Sequence, residues 1–228
     1  MTTGATLSAM TNEARRDPGV VEFWVDPVCP WCWVTARWMV DVVAPARDLT
    51  VVWQPISLLV KNSPAPDSEY YAPVAATHSM LRVMEAARAE HGDEAAFSVY
   101  WHLATRIHHD RILDGGVDGI DLGAELGVIG LPAGLAAAAD DAAWDAEIAR
   151  RMQRGLDLVG TDVGTPIIAF DAPSGERCGI FGPVITAVPG RDESLALWDA
   201  VVTLAGTDGF WELKRTRTRR PDFGARPG

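Results

Sequence analysis

The chain has 228 residues, with 20 Lys plus Arg against 31 Asp plus Glu, and its formal net charge of −11 opposes a nucleic-acid partner for the body of the protein. Hydrophobic residues make up 48% and charged ones 22%, a globular composition that excludes intrinsic disorder over most of the length. The longest weakly polar run, 126–139, is interrupted by Gly and Pro and falls short of the ~20 apolar residues that a membrane-spanning helix needs, so no membrane partner is expected.

Residues 1–19 carry neither the basic start nor the apolar stretch of an export signal. They read as a disordered extension, and the cytoplasm is the expected compartment. Val20 to Val25 is a β-branched and aromatic run that predicts a strand, closed by Asp26-Pro27. Cys29-Pro30-Trp31-Cys32 follows, and then a helix is predicted from Trp33 to Val43 with Val34, Trp38 and Val42 on one face. Pro30 stands where a first-turn proline is tolerated. A second strand is predicted over Leu49 to Gln54, followed by a Pro/Ser/Asp-rich loop to Ser68.

From Glu69 to Val159 the pattern is helical. Leu81, Met84 and Arg88 form one stripe, Phe97, Trp101 and Thr105 another, and Trp144, Ile148, Met152, Leu156 and Val159 a third. Gly115-Gly116 and Gly130-Leu131-Pro132 punctuate it, and Leu135 to Ala143 is helical by alanine propensity. Strand character resumes over Val163 to Phe170 and again over Cys178 to Phe181, which fits a hairpin. Arg191 to Ala205 is a last helix with Leu195, Trp198, Val201, Val202 and Ala205 inward, and a basic tail follows. The order predicts an α/β, thioredoxin-like fold from residues 20–68 and 160–212. Into it is inserted an all-helical subdomain, 69–159, and residues 213–228 form the tail.

Three cysteines are too few for a disulfide scaffold, but a C-x-x-C pair is expected by chance only about 0.04 times in such a chain. Zinc would need four ligands, and neither a second C-x-x-C nor a suitably spaced His pair is present, so no metal is expected. A redox pair fits the flanking strand and helix. Free N–H groups at a helix N-terminus stabilise a thiolate, which makes Cys29 the candidate nucleophile with a lowered pKa. Cys32, one turn further and more buried, is the candidate resolving thiol. Gly164-Thr165-Pro166 ahead of a strand suggests a cis Thr165–Pro166 peptide, whose backbone would pair with a substrate beside Cys29. Pro30, Trp31, Thr165 and Pro166 are therefore expected to touch substrate, with Trp33 a weaker candidate. Trp24 and Trp38 read as core, Cys178 as a small hydrophobe, and His108 as a capping residue or proton shuttle. Asp26 reads as a turn former or as a buried proton acceptor for Cys32.

The stretch Phe23-Trp24-Val25-Asp26-Pro27-Val28-Cys29-Pro30-Trp31-Cys32-Trp33, the helical insertion, Val163-Gly164-Thr165-Pro166, Phe181-Gly182-Pro183-Val184 and Phe210-Trp211-Glu212-Leu213-Lys214-Arg215-Thr216-Arg217-Thr218 together resemble the DsbA-like mycothiol-dependent reductases, also described as mycothiol-dependent nitroreductases. The resemblance implies a DsbA-like fold and a cytoplasmic homodimer. It also implies a Cys29 thiolate that reduces disulfides or nitro-type electrophiles and leaves Cys29–Cys32 oxidised. Mycothiol would be the reducing co-substrate, with NADPH upstream and no bound cofactor, and the helical part would close over the reduced site. By matching position, Trp31, Asn62 and one of Tyr70 or Tyr71, taken as Tyr71, would line the acceptor pocket. Two rival functions stand beside this one: a kappa-type glutathione transferase or related isomerase, and a zinc-carrying or chaperone-like binding module. Both cysteines argue against the first, whose sites generally carry Ser in place of Cys29.

Overall fold

The computed structural model describes residues 19–228 apart from positions 115, 117, 118 and 173. The expected extension, except Gly19, therefore lies outside the described residues, as do Gly115 of the Gly115-Gly116 turn and one turn residue of the hairpin. Four strands, β1 (Val20–Val25), β2 (Thr50–Pro55), β3 (Ile167–Asp171) and β4 (Arg177–Phe181), form one sheet in the order β2-β1-β3-β4. β1 and β2 run parallel, with Phe23 opposite Trp53, and β3 lies antiparallel to both β1 and β4, with Ile168 opposite Phe23 and Ile180.

Helices cover both faces of the sheet, which is why β1 is hydrophobic on both sides rather than alternating. Val21, Phe23 and Val25 enter the larger core with Trp33, Trp38 and Trp53, whereas Trp24 enters a smaller one with Ile56, Met152, Leu156 and Ile167. Helix α1 (Pro30–Trp38) begins three residues before the predicted Trp33, because Cys29 caps it and Pro30 needs no partner for a missing N–H. It widens into a π turn over Met39–Val43 before α2 (Ala44–Arg47). The widening precedes Pro45, which has no N–H to return to the helix.

Beyond β2 come α3 (Leu58–Asn62), α4 (Tyr71–His91), α5 (Asp93–His108), α6 (Leu122–Val128), α7 (Asp145–Val159) and, after the hairpin, α8 (Arg191–Ala205). The predicted stripes on α4 and α7 face inward. On α5 the buried face is Ala96, Val99, Tyr100, Leu103 and Ile107, so Phe97 and Trp101 flank it, half-buried. The Ala-rich stretch folds as two 3₁₀ turns, Ala133–Asp140 and Ala142–Trp144, and not as an α-helix. Three residues per turn stack Leu135 over Ala138, and both are buried. α7 approaches the sheet at Gly155, where a Cβ would stand 2.7 Å from the Trp24 ring.

Candidate active site

At the carboxyl end of β1 the chain turns through Asp26-Pro27-Val28, and the Cys29 N–H donates to the Asp26 carbonyl at 3.1 Å. Cys29 takes an extended conformation as the N-cap of α1, and its Sγ accepts the Cys32 N–H at 3.4 Å. From the opposite side the cis Thr165–Pro166 peptide presents the Thr165 carbonyl, 3.6 Å from Cys29 Sγ. The Thr165 hydroxyl lies 2.6 Å from the Trp24 carbonyl and 3.2 Å from Cys32 Sγ. It has one hydrogen, which can turn to Cys32 when that sulfur becomes a thiolate. Tyr100 places its phenol 3.9 Å from the same sulfur. Both cysteines are free thiols, Cys29 8% exposed and Cys32 fully buried.

Burial dominates the electrostatics. It pushes the Cys29 thiol up to about 12, assisted by the nearby Asp26 charge and opposed by the Cys32 and Trp31 N–H groups and by Arg217. The sequence predicted a lowered value. With the thiols reduced and enclosed, desolvation outweighs the helix N-terminus. Burial and the Cys29 charge push Cys32 higher as well, against hydrogen bonds from Thr165 and Tyr100.

Asp26 forms the turn expected of it, and its carboxyl is buried. Its Oδ1 accepts from the Val28 N–H at 3.1 Å and its Oδ2 from the Leu58 N–H at 2.8 Å, yet the side chain is fully buried. Desolvation raises its pKa to about 6 against these bonds and one from Thr77.

The other predicted residues separate into those beside the pair and those away from it. Pro30 and Trp31 are partly buried, and the Arg217 guanidinium lies over the Trp31 ring at 5.2 Å. Pro166 is buried behind Thr165. Trp33 is not a contact surface: it has no exposure, packs on Trp101 at 4.8 Å and donates its Nε1–H to His109 at 3.2 Å. Asn62 is exposed at the end of α3 and Tyr71 opens α4, half-buried. Among the described residues no hydrogen bond or ring contact joins either to the cysteines. His108 donates its Nε2–H to the Pro27 carbonyl at 2.8 Å and stacks on Trp33, so it fixes the turn before the cysteines. Burial lowers its pKa to about 4. Cys178 sits on edge strand β4, its Sγ 3.4 Å from the Phe170 carbonyl.

Sequence reasoning missed Tyr100, although it is a phenol on the buried face of Ala96, Leu103 and Ile107 and its spacing could have marked it. It also missed a second cis peptide, Gly182–Pro183, whose Pro183 carbonyl accepts from the Thr35 hydroxyl of α1 at 2.8 Å. Nothing in the spacing signals that one. Among the described residues no group of three His, Cys, Asp or Glu is placed to hold a metal ion, and no helix is long and apolar enough to cross a membrane.

Residues 28–215 match the model of the Rv2466c-like family, described as mycothiol-dependent nitroreductase Rv2466c. Rv2286c of Mycobacterium tuberculosis is 28% identical over 210 residues, covering 87% of this chain and 82% of that protein. The cytosolic disulfide reductase DsbM of Pseudomonas aeruginosa, solved with GSH, superposes with a TM-score of 0.54 at 15% identity over 81% of this chain and 100% of that one. A putative protein disulfide isomerase of Nitrosomonas europaea gives 0.55 at 12% identity over 81% and 99%. These structural likenesses show the DsbA-like, thioredoxin-type fold with its helical insertion. The chain belongs to the Rv2466c-like family of mycothiol-dependent nitroreductases and is an oxidoreductase.

Proposed function

We propose that Cys29 is the attacking thiol and Cys32 the resolving thiol of a mycothiol-fed reductase acting on disulfides or nitro-type electrophiles. The observation that carries this reading is the placement of Cys29 Sγ between the Cys32 N–H at 3.4 Å and the carbonyl of the cis Thr165–Pro166 peptide at 3.6 Å. An extended substrate pairing with the Thr165 backbone would bring its sulfur to Cys29. The Cys29 thiolate displaces one thiolate from a disulfide, and Cys32 then displaces the other, leaving Cys29–Cys32 oxidised. For a nitro group the same two thiols give up two electrons and two protons, which leaves a nitroso group, water and the Cys29–Cys32 disulfide. Two mycothiol molecules restore the dithiol through a mixed disulfide and leave as their own disulfide.

Trp31, Pro30, Thr165 and Pro166 form the wall nearest the sulfurs in this reading, and Asn62 and Tyr71 the outer acceptor pocket. Leu58, whose N–H holds Asp26, opens the helix that ends at Asn62. Residues 69–159 act as an inserted helical unit that covers the pair. The protein works as a cytoplasmic homodimer, in keeping with the family resemblance.

Cys29→Ser is expected to abolish mycothiol-dependent reduction, and turnover at the wild-type rate would overturn the assignment. In Cys32→Ser the first mixed disulfide cannot resolve. Intact mass after exposure to mycothiol disulfide is expected to show one mycothiol adduct on Cys29, and an adduct confined to Cys178 would count against the reading.

A further inference from the structure

We propose that Arg217, on the C-terminal segment folded back across the Cys29-Pro30-Trp31-Cys32 loop, is the positioning residue that supplies positive charge to the Cys29 thiolate. The inference rests on Cys29 being the attacking thiol. Three observations carry it.

The first is placement. The Arg217 guanidinium lies over the Trp31 ring at 5.2 Å, two residues from Cys29 in the chain. A planar, weakly hydrated cation is held by an indole face without needing an acceptor atom, so its charge stays over the loop that carries the sulfur.

The second is that the segment is anchored beyond Arg217. The Asp222 N–H donates to the Thr186 carbonyl at 2.7 Å. Phe223 packs on His108 at 4.9 Å, Arg226 pairs with Asp110 at 2.8 Å, and Arg37 donates to the Ala225 carbonyl at 3.0 Å. α8 ends at Ala205, so Arg217 lies on a span fixed at both ends. The anchor also reaches the site, because His108 holds the Pro27 carbonyl ahead of Cys29.

The third is what else faces the sulfur. Asp26, from the β1 turn, opposes a negative charge on Cys29, while Cys32 of α1 offers it an N–H and Tyr100 of α5, held neutral by burial, faces Cys32. His108 is kept neutral by burial above about pH 4. Arg217 is the cation acting on Cys29, and the helix N-terminus alone does not offset the burial.

The test is the rate of iodoacetamide labelling of Cys29 in the reduced full-length chain, read by peptide mass from about pH 6 to about pH 10, a span below the Cys29 midpoint in which the rate follows the thiolate fraction. Arg217→Met is expected to lower the labelling rate about threefold at each pH in that span, which corresponds to a rise of roughly half a pH unit in the thiol pKa. Arg217→Lys falls between the two, and Arg226→Ala, which removes one contact of the anchor, shifts in the same direction as Arg217→Met by a smaller amount. Arg219→Gln, an exposed neighbour, matches the wild type. Raised salt narrows the gap between wild type and Arg217→Met, because the guanidinium is exposed and screened. Coincident profiles at low salt overturn the proposal, as does a gap that salt leaves unchanged, since that marks packing and not charge. Full activity in Cys29→Ser would instead sink the underlying reading, whatever Arg217→Met shows.

Discussion

Replacing Asp26 by Asn removes an ionisable group from a fully buried position, and the size of the effect follows from its titration. Its pKa rises from 3.8 to about 6, and at 1.36 kcal/mol per pH unit this is worth about 3 kcal/mol. In that interval the native protein holds a proton that the unfolded chain has released. The associated stability is therefore fully present below 3.8 and is lost as the pH rises through about 6. His108 carries the opposite sign. Its pKa falls from 6.5 to about 4, so its contribution is present above 6.5 and is lost as the pH falls through about 4. Since that ring is only partly buried, about 3 kcal/mol is its upper limit.

The two slopes oppose each other in the wild type, which is expected to show little net change from these groups across the acid range. Denaturant unfolding of the reduced protein separates them. The stability of Asp26→Asn relative to wild type is expected to grow by about 3 kcal/mol between about pH 4 and about pH 7. His108→Gln is expected to lose stability relative to wild type over the same range. The Asn side chain also gives up one of the two backbone N–H bonds, a cost of about 1–3 kcal/mol, but that cost does not vary with pH and drops out of the slope. A difference between wild type and Asp26→Asn that stays flat from pH 4 to 7 would refute the reasoning.

Gly155→Ala forces a Cβ within 2.7 Å of the rigid Trp24 ring. Overpacking of about 1–3 kcal/mol outweighs the ~1 kcal/mol that Ala contributes to helix propensity, so the midpoint of denaturant unfolding should fall, and a rise would show that α7 can move off the sheet. Tyr100→Phe keeps the ring and removes the hydroxyl 3.9 Å from Cys32 Sγ, a hydrogen bond that favours the Cys32 thiolate. The mixed disulfide on Cys29 should then persist longer in acid-quench mass analysis, and an unchanged lifetime would remove Tyr100 from the resolving step.

The fold was readable where one pattern served one purpose. β1 is apolar on both faces apart from Glu22, which Arg154, Arg177 and Gln54 pair, because the strand is central, and the Trp144-to-Val159 spacing marks one face of α7 because a single stripe meets the sheet. Reading failed where several constraints met. The Cys29 cap and Pro30 start α1 before its apolar periodicity begins, and the Ala-rich stretch follows three-residue stacking against α4 in place of alanine's α preference. At the site, the cysteine pair and Thr165–Pro166 came from local spacing. Their electrostatics did not, because the depth at which Cys29 lies depends on Thr165, Tyr100 and the tail, all distant in the chain. Trp33 was misread for the same reason: its neighbour Trp31 is partly exposed, and only the arrival of Trp101 with His108 and His109 at the end of α5 decides that Trp33 is not.

The acid beneath the cysteines is tied to the helical segment by a continuous polar chain. The Leu58 N–H that holds Asp26 belongs to the first residue of α3, which Ser57 caps by accepting the Val60 N–H at 3.3 Å. Ser57 Oγ lies 2.9 Å from His78 Nδ1 on α4, and His78 Nε2 lies 3.0 Å from an oxygen of Asp145 at the start of α7, itself clamped by Arg82. Hydrogen-bond satisfaction selects one tautomer. Nε2 must carry the proton, because a bare nitrogen would repel the carboxylate, so Nδ1 accepts from the Ser57 hydroxyl. Each group in the chain then has a partner, and leaving any buried one unpaired costs about 1–3 kcal/mol. A displacement of α4 or α7 therefore pulls on the cap of α3 and on the donor that opposes the desolvation of Asp26.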